Sequence, residues 1–340
     1  MTGEKDSALD QRKLESFIRW NNTRLAAQLE RYELDEYVID SPAQPKVHLG
    51  RGEPLRCRYC DQSAPQTTFR EVSHAIPMFL GNKTIIDLLE CDRCNHHFSS
   101  YLEDSFANYT LPYRPFQRTR GRGGVPVYKD KNFRVSTIGL DRLEFHLLGE
   151  YSINSIKLSE KKQIKFPLTR RPYYPVAIHK MLIKIALALL PPREHRNFPH
   201  LKAWLLRKDH QPLASGGPPI TEWIISGPMP PDRIYCAIAR ARKSFQESMF
   251  SYQLILQFGN FQYQLIIPML EDNGRSKGIV EPPLLLPEAY IRRNGISDFR
   301  LQKFDSSERI KGEEVEVMIG YESEVAFLDH KKLHFGGNIS

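Results

Sequence analysis

Four cysteines in two pairs constrain this chain more than any other feature. Cys57-Arg58-Tyr59-Cys60 and Cys91-Asp92-Arg93-Cys94 are two C-x-x-C knuckles. Each short loop brings two thiolates near one ion, and Zn²⁺ takes four such ligands in a tetrahedron. The spacing predicts one structural zinc held by Cys57, Cys60, Cys91 and Cys94. Binding of this kind contributes on the order of 10–16 kcal/mol in small fingers, which can organise a segment with little core. Five cysteines occur in 340 residues. The fifth, Cys236, lies in Ile234-Tyr235-Cys236-Ala237-Ile238 and reads as a buried, inert thiol. Metal ligation in place of a disulfide frame implies a reducing compartment.

Between the knuckles lie Ser73-His74-Ala75-Ile76-Pro77 and Leu80-Gly81-Asn82, and the second knuckle continues into Asn95. The cysteines alone leave a plain zinc ribbon open. The order of His74, the Gly-Asn turn and the Cys-x-x-Cys-Asn step resembles the HNH endonucleases, above all their zinc-knuckle HNH endonuclease 5 type. The resemblance covers roughly Leu55 to Phe106. It implies a ββα-metal unit of strand, turn, strand and helix. It also implies His74 as general base, Asn82 as brace of the hairpin, and Asn95 as ligand of a catalytic Mg²⁺ or Mn²⁺. An imidazole with an ordinary pKa near ~6.5 can take a proton at neutral pH. One position departs from the family pattern. Many members carry Asp, Glu or His immediately before the base, where this chain has Ser73, a weak ligand for a hard cation. Glu71, two residues back on the same strand face, is the candidate substitute.

The expected fold class is α+β, in four segments. Residues 1–45 form an N-terminal helix and linker, with Leu14, Phe17, Ile18, Leu25 and Leu29 on one stripe from Arg12 to about Tyr37. That stripe either docks on the rest of the chain or forms a homodimer. Residues 46–110 hold the zinc-stabilised ββα-metal unit, with a strand over 67–74 and a helix over 95–108. Residues 111–210 form a basic extension with a helical hairpin. There, Ile178, Met181, Leu182, Ile185 and Leu189 give one apolar helix face. Residues 211–340 form a C-terminal α/β region of unassigned role. Its clearest element is a β-hairpin about Gly259-Asn260, with Tyr252, Leu254, Leu256 and Phe258 alternating on one arm. Glu314 to Ile319 is strand-like.

Charge is distributed unevenly. The net charge is +8, which points to an anionic partner. Leu111 to Pro175 carries fourteen Lys and Arg against five Asp and Glu, whereas Lys46 to Thr110 has seven against eight. Arg114, Arg118, Arg120, Arg122, Lys161 and Lys162 are the candidate phosphate contacts. Interleaved aromatics such as Tyr113 and Phe116 suit nucleic acid, although a solvated basic surface has the same pattern. No signal-like or bilayer-spanning stretch is visible, so a soluble cytoplasmic protein without a membrane partner is expected. Three functions follow. The first is an HNH-type endonuclease acting on nucleic acid, DNA foremost, in a setting such as bacterial defence. The second is a non-catalytic zinc-knuckle protein that binds nucleic acid. The third is a protein-interaction scaffold.

Overall fold

A computed structural model describes residues 2–41, 43–139, 142–151, 163–213, 219–225, 227, 229–246, 250–270, 299–320, 326–329 and 332–335. Helices and strands are mixed throughout, as an α+β chain requires. The first helix, α1 (Thr2–Arg31), passes directly into strand β1 (Tyr32–Ile39). The sequence pattern had carried this helix to about Tyr37. Instead Tyr32 to Ile39 pairs antiparallel with β9 (Ile234–Ala241) over the whole strand, because pairing and burial of Tyr32 and Ile39 outweigh helix propensity.

Short pieces follow. Strand β2 (Val47–Leu49) pairs parallel with β3 (Ile85–Asp87). Helix α2 (Asp92–Phe98) continues through a wider turn at residues 99–103 into α3 (Asp104–Thr110), then α4 (Arg114–Gln117). Strands β4 (Tyr128–Lys129), β5 (Phe133–Ile138) and β6 (Arg142–Leu147) build a small sheet with β14 (Ala326–Asp329) and β15 (Lys332–Phe335). Strand β7 (Gln163–Thr169) pairs with β13 (Glu314–Gly320), the strand expected there.

Helix α5 (Pro175–Leu189) is buried along its entire length. A single apolar face was expected; the helix is apolar on nearly every side and runs through the core. His179, Lys180 and Lys184 are buried with it. Lys180 Nζ donates to the carbonyls of Arg207 and Asp209, both at 2.9 Å. Helix α6 (Pro199–Leu206) packs on α5.

The largest sheet has the order β1-β9-β10-β11-β8-β12, with β8 at Ile220–Ile224, β10 at Tyr252–Phe258, β11 at Phe261–Ile266 and β12 at Phe299–Gln302. The hairpin about Gly259-Asn260 is present, with Phe258 opposite Phe261. Both of its faces are buried, not one. Tyr252, Leu254, Leu256 and Phe258 enter the main core. On the other side, Gln264 Nε2 donates to Gln253 Oε1 at 2.7 Å.

Leu25 of α1 packs against Tyr32, Ala237, Ala239, Ala241 and Ile255. This part of the expected stripe therefore covers the chain's own sheet, and a homodimer is not needed to bury it. Leu29, expected on the same stripe, is 43% exposed. The side chains of Leu14 and Phe17 lie outside the described residues. One contiguous core runs from Ile39 through Cys57, Phe106, Ile185 and Leu256 to Ile319, crossing the segment boundaries expected at 45, 110 and 210. Among the described residues no helix is long and apolar enough to cross a membrane.

Candidate functional site

The first knuckle is a tight turn in which Cys57 N–H donates to the Gln62 carbonyl at 2.8 Å and Asp61 N–H to the Cys57 carbonyl at 2.9 Å. Asp61 adopts the left-handed conformation this turn needs, at φ 57°. The second knuckle is the first turn of α2, with Cys91 capping the helix. The four sulfurs lie within 4.8 Å of one another, and Cys60 Sγ and Cys91 Sγ are 3.7 Å apart. A tetrahedron with Zn–S bonds of ~2.3 Å has edges of about 3.8 Å, so this donor set fits a zinc ion. A hydrogen bond from Cys94 is the largest influence on the Cys57 thiol and pushes it down to about 5; the same bond pushes Cys94 up. Cys236 is buried, and burial raises its thiol.

Arg58, inside the first knuckle, anchors the unit to α5. Its guanidinium donates to the carbonyls of Leu187, Ala188 and Leu190 at 3.0, 2.7 and 3.2 Å. It also pairs with Asp87 at 3.0 Å. A cation on carbonyls left over at a helix C-terminus is favoured by hydrogen bonding and by the helix dipole. Nothing in the local sequence distinguishes Arg58 from any knuckle arginine.

The strand expected at 67–74 shortens to a single antiparallel bridge between His74 and Ile86. Ala75 N–H donates to the Ile85 carbonyl and Asp87 N–H to the Ser73 carbonyl. Asn82 is fully buried and closes this turn. Its amide nitrogen donates to the carbonyls of Ile76 and Ile85 at 2.7 and 3.0 Å. Its oxygen accepts from the backbone N–H groups of Thr84 and Ile85 at 3.0 and 2.9 Å. These bonds make Asn82 a brace. The preceding Gly81, at φ 104°, supplies a conformation that L side chains rarely adopt.

The His74 imidazole is half-buried. Burial, then the charges of Lys184, Lys46 and Arg122, hold it below its ordinary pKa, against a hydrogen bond with the Val72 backbone. Near neutral pH the ring is therefore uncharged. Asp92, in the first turn of α2, accepts hydrogen bonds from the backbone N–H groups of Arg70 and Glu71, both at 2.9 Å, and from the Thr68 hydroxyl. That clasp draws Glu71 to the helix, where Asn95 Nδ2 donates to Glu71 Oε2 at 2.8 Å. Asn95 is thus held beside a carboxylate through its amide nitrogen, and its amide oxygen and the Glu71 carboxylate are both hard donor types of the kind Mg²⁺ accepts. Asp92 was missed in the sequence; its position between the second pair of cysteines was the one available signal. Ser73 is 1% exposed, and its hydroxyl points to the Glu90 carbonyl at 3.5 Å.

The basic candidates separate. Arg114 is buried, donating to the carbonyls of Ala107 at 3.0 Å and Phe79 at 3.4 Å. Burial, then the charge of Arg171, lowers it to about 10. It is a structural cation, and its expected role as a phosphate contact is corrected. Arg118 is half-buried, in left-handed conformation at the end of α4. Arg120 pairs with Asp232 at 3.4 Å. Arg122 is exposed and close enough to His74 to influence its proton affinity. Lys161 and Lys162 lie outside the described residues.

Residues 57–111 match the family model for HNH endonucleases. The chain has no match among curated proteins or solved structures. The matched segment begins at Cys57 and contains all four sulfur ligands, His74, Asn82 and Asn95; it points to nuclease activity and a nucleic-acid substrate.

Proposed function

We propose that the chain is a metal-dependent endonuclease that hydrolyses phosphodiester bonds, DNA foremost, with His74 as general base. The reading is supported above all by the His74 ring, uncharged near neutral pH and carried on the turn that Asn82 braces. Water attacks phosphorus as the imidazole takes its proton, and the phosphate–O3′ bond breaks. The Asn95 amide oxygen and the Glu71 carboxylate would hold Mg²⁺ or Mn²⁺. When bound, that ion supplies charge neutralisation at the phosphate and the departing oxygen. Arg122 offers a phosphate contact beside the ring. The zinc stays structural.

The position of Ser73 favours a second reading. Its hydroxyl is turned inward, so the ion would lack the ligand usual before the base, as in a non-catalytic zinc module that binds nucleic acid. A plasmid nicking assay with Mg²⁺ or Mn²⁺ separates the two. Wild type should nick, and His74→Ala should lose about 10²–10⁴ in rate with zinc content unchanged. Equal nicking by both proteins overturns the role of His74. No nicking by either, with salt-sensitive DNA binding retained, supports the non-catalytic module.

A further inference from the structure

Helix α5 lies outside the segment that matches the nuclease family, yet it grips that segment at three points. Arg58 covers its C-terminal carbonyls. The Tyr59 hydroxyl donates to the Lys184 carbonyl at 3.2 Å. The third point is the Lys184 side chain. Its ammonium donates to the His74 carbonyl at 2.9 Å and pairs with Glu90 Oε2 at 2.8 Å. Both side chains of the pair are almost completely buried, at 2% and 1% exposure.

The register around His74 gives this contact its meaning. The bridge to Ile86 is made by the neighbours' backbone groups, Ala75 N–H to Ile85 and Ser73 C=O from Asp87. His74 therefore occupies a non-hydrogen-bonded pair, where a residue's own carbonyl points away from the partner strand. In the interior that carbonyl needs another donor, because leaving it unpaired after taking it from water is unfavourable. Lys184 supplies it from a helix 110 residues further along the chain. A bond on the carbonyl fixes the peptide plane that follows His74 and, with it, the direction of the Cα–Cβ bond.

We infer that Lys184 is a positioning residue for His74, holding the imidazole in place through its backbone carbonyl, with Glu90 as the counter-ion. The inference rests on the proposed nuclease reading. It makes α5 part of the working unit: the matched segment alone lacks the donor that orients its own base. A misplacement of about 1 Å can cost 10²-fold in rate, so the contact acts on turnover and not on substrate affinity.

Two variants of the full chain test this. Lys184→Met leaves Glu90 buried without its partner and is expected to lower stability. Lys184→Met/Glu90→Met replaces both charges by apolar chains of similar length, a change that is often neutral for folding. The double variant should stay folded and keep its bound zinc, with a melting temperature lowered only by the few degrees that an unpaired carbonyl at His74 entails. Its kcat for plasmid nicking should fall about 10–100-fold, with KM within about twofold. Recovery of wild-type kcat in the double variant would show that the pair only stabilises the fold, and overturns the inference. A double variant that unfolds makes the pair a folding device and overturns it equally. If wild type does not nick at all, the nuclease reading fails separately. The His74 ring resonances then decide: displaced in the folded double variant, they support positioning; unchanged, they refute it.

Discussion

Replacing Asn82 by alanine should destabilise the chain far more than its small side chain suggests. The amide makes four hydrogen bonds to backbone groups in a fully buried turn. At about 1 kcal/mol net for each, the loss is about 4 kcal/mol. A stranded carbonyl at Ile76 and stranded N–H groups at Thr84 and Ile85 push the figure upward, since water cannot replace the amide there, while the Ile85 carbonyl keeps its bond from Ala75 N–H. With an m-value of about 2–3 kcal/mol/M, the urea midpoint of zinc-loaded protein should fall by roughly 1.5–2 M. Asn82→Asp is the more informative partner. It keeps the acceptors for Thr84 and Ile85 but turns a carboxylate towards two carbonyls. Its folded-state pKa is then raised, so the variant is least stable above that pKa and recovers as pH falls through it. Urea titrations at two pH values read both effects. A loss below about 1 kcal/mol for Asn82→Ala, or an Asp variant indifferent to pH, would refute the idea that this amide holds the His74 turn.

The activity of wild type should rise with pH through a limb below ~6.5, because the uncharged ring is the base. Arg122→Gln should move that limb upward by removing a charge that opposes protonation; a wild-type limb at pH 7 or above contradicts this. Chelation should release one zinc per chain and make four thiols reactive, while Cys236 stays protected until global unfolding. Zinc retained at full stoichiometry by Cys91→Ala would contradict the four-sulfur site. Arg122→Ala should weaken DNA binding and reduce the salt slope by about one. Arg114→Ala should leave that slope unchanged and cost about 2–3 kcal/mol of stability, measured by urea unfolding.

What could be read from the sequence was local. Two C-x-x-C loops specify a four-sulfur cage because each loop is too short to place its thiols anywhere else. Alternating residues about Gly259-Asn260 specify a hairpin for a similar reason. The surprises came from partners distant in sequence. Arg114 belongs to a charge run that reads as a strip of phosphate contacts, yet the carbonyls of Ala107 and Phe79 take it into the interior. Lys180 and Lys184 are cations in an otherwise apolar helix, but acceptors at Arg207, Asp209, His74 and Glu90 let α5 be buried all round. The helical pattern reads on to about Tyr37, but the distant strand Ile234–Ala241 claims the chain from Tyr32 onward. The clasp of Asp92 on residues 68–71 depends on a loop course that no periodicity encodes.

Anomalous diffraction from a crystal soaked in Mn²⁺ tests the proposed chemistry most directly. Manganese is expected within ligand distance of the Asn95 amide oxygen and the Glu71 carboxylate, with the His74 imidazole facing the same pocket. Manganese bound only elsewhere, or a His74 ring turned away from those two oxygens, would contradict a hydrolytic centre here.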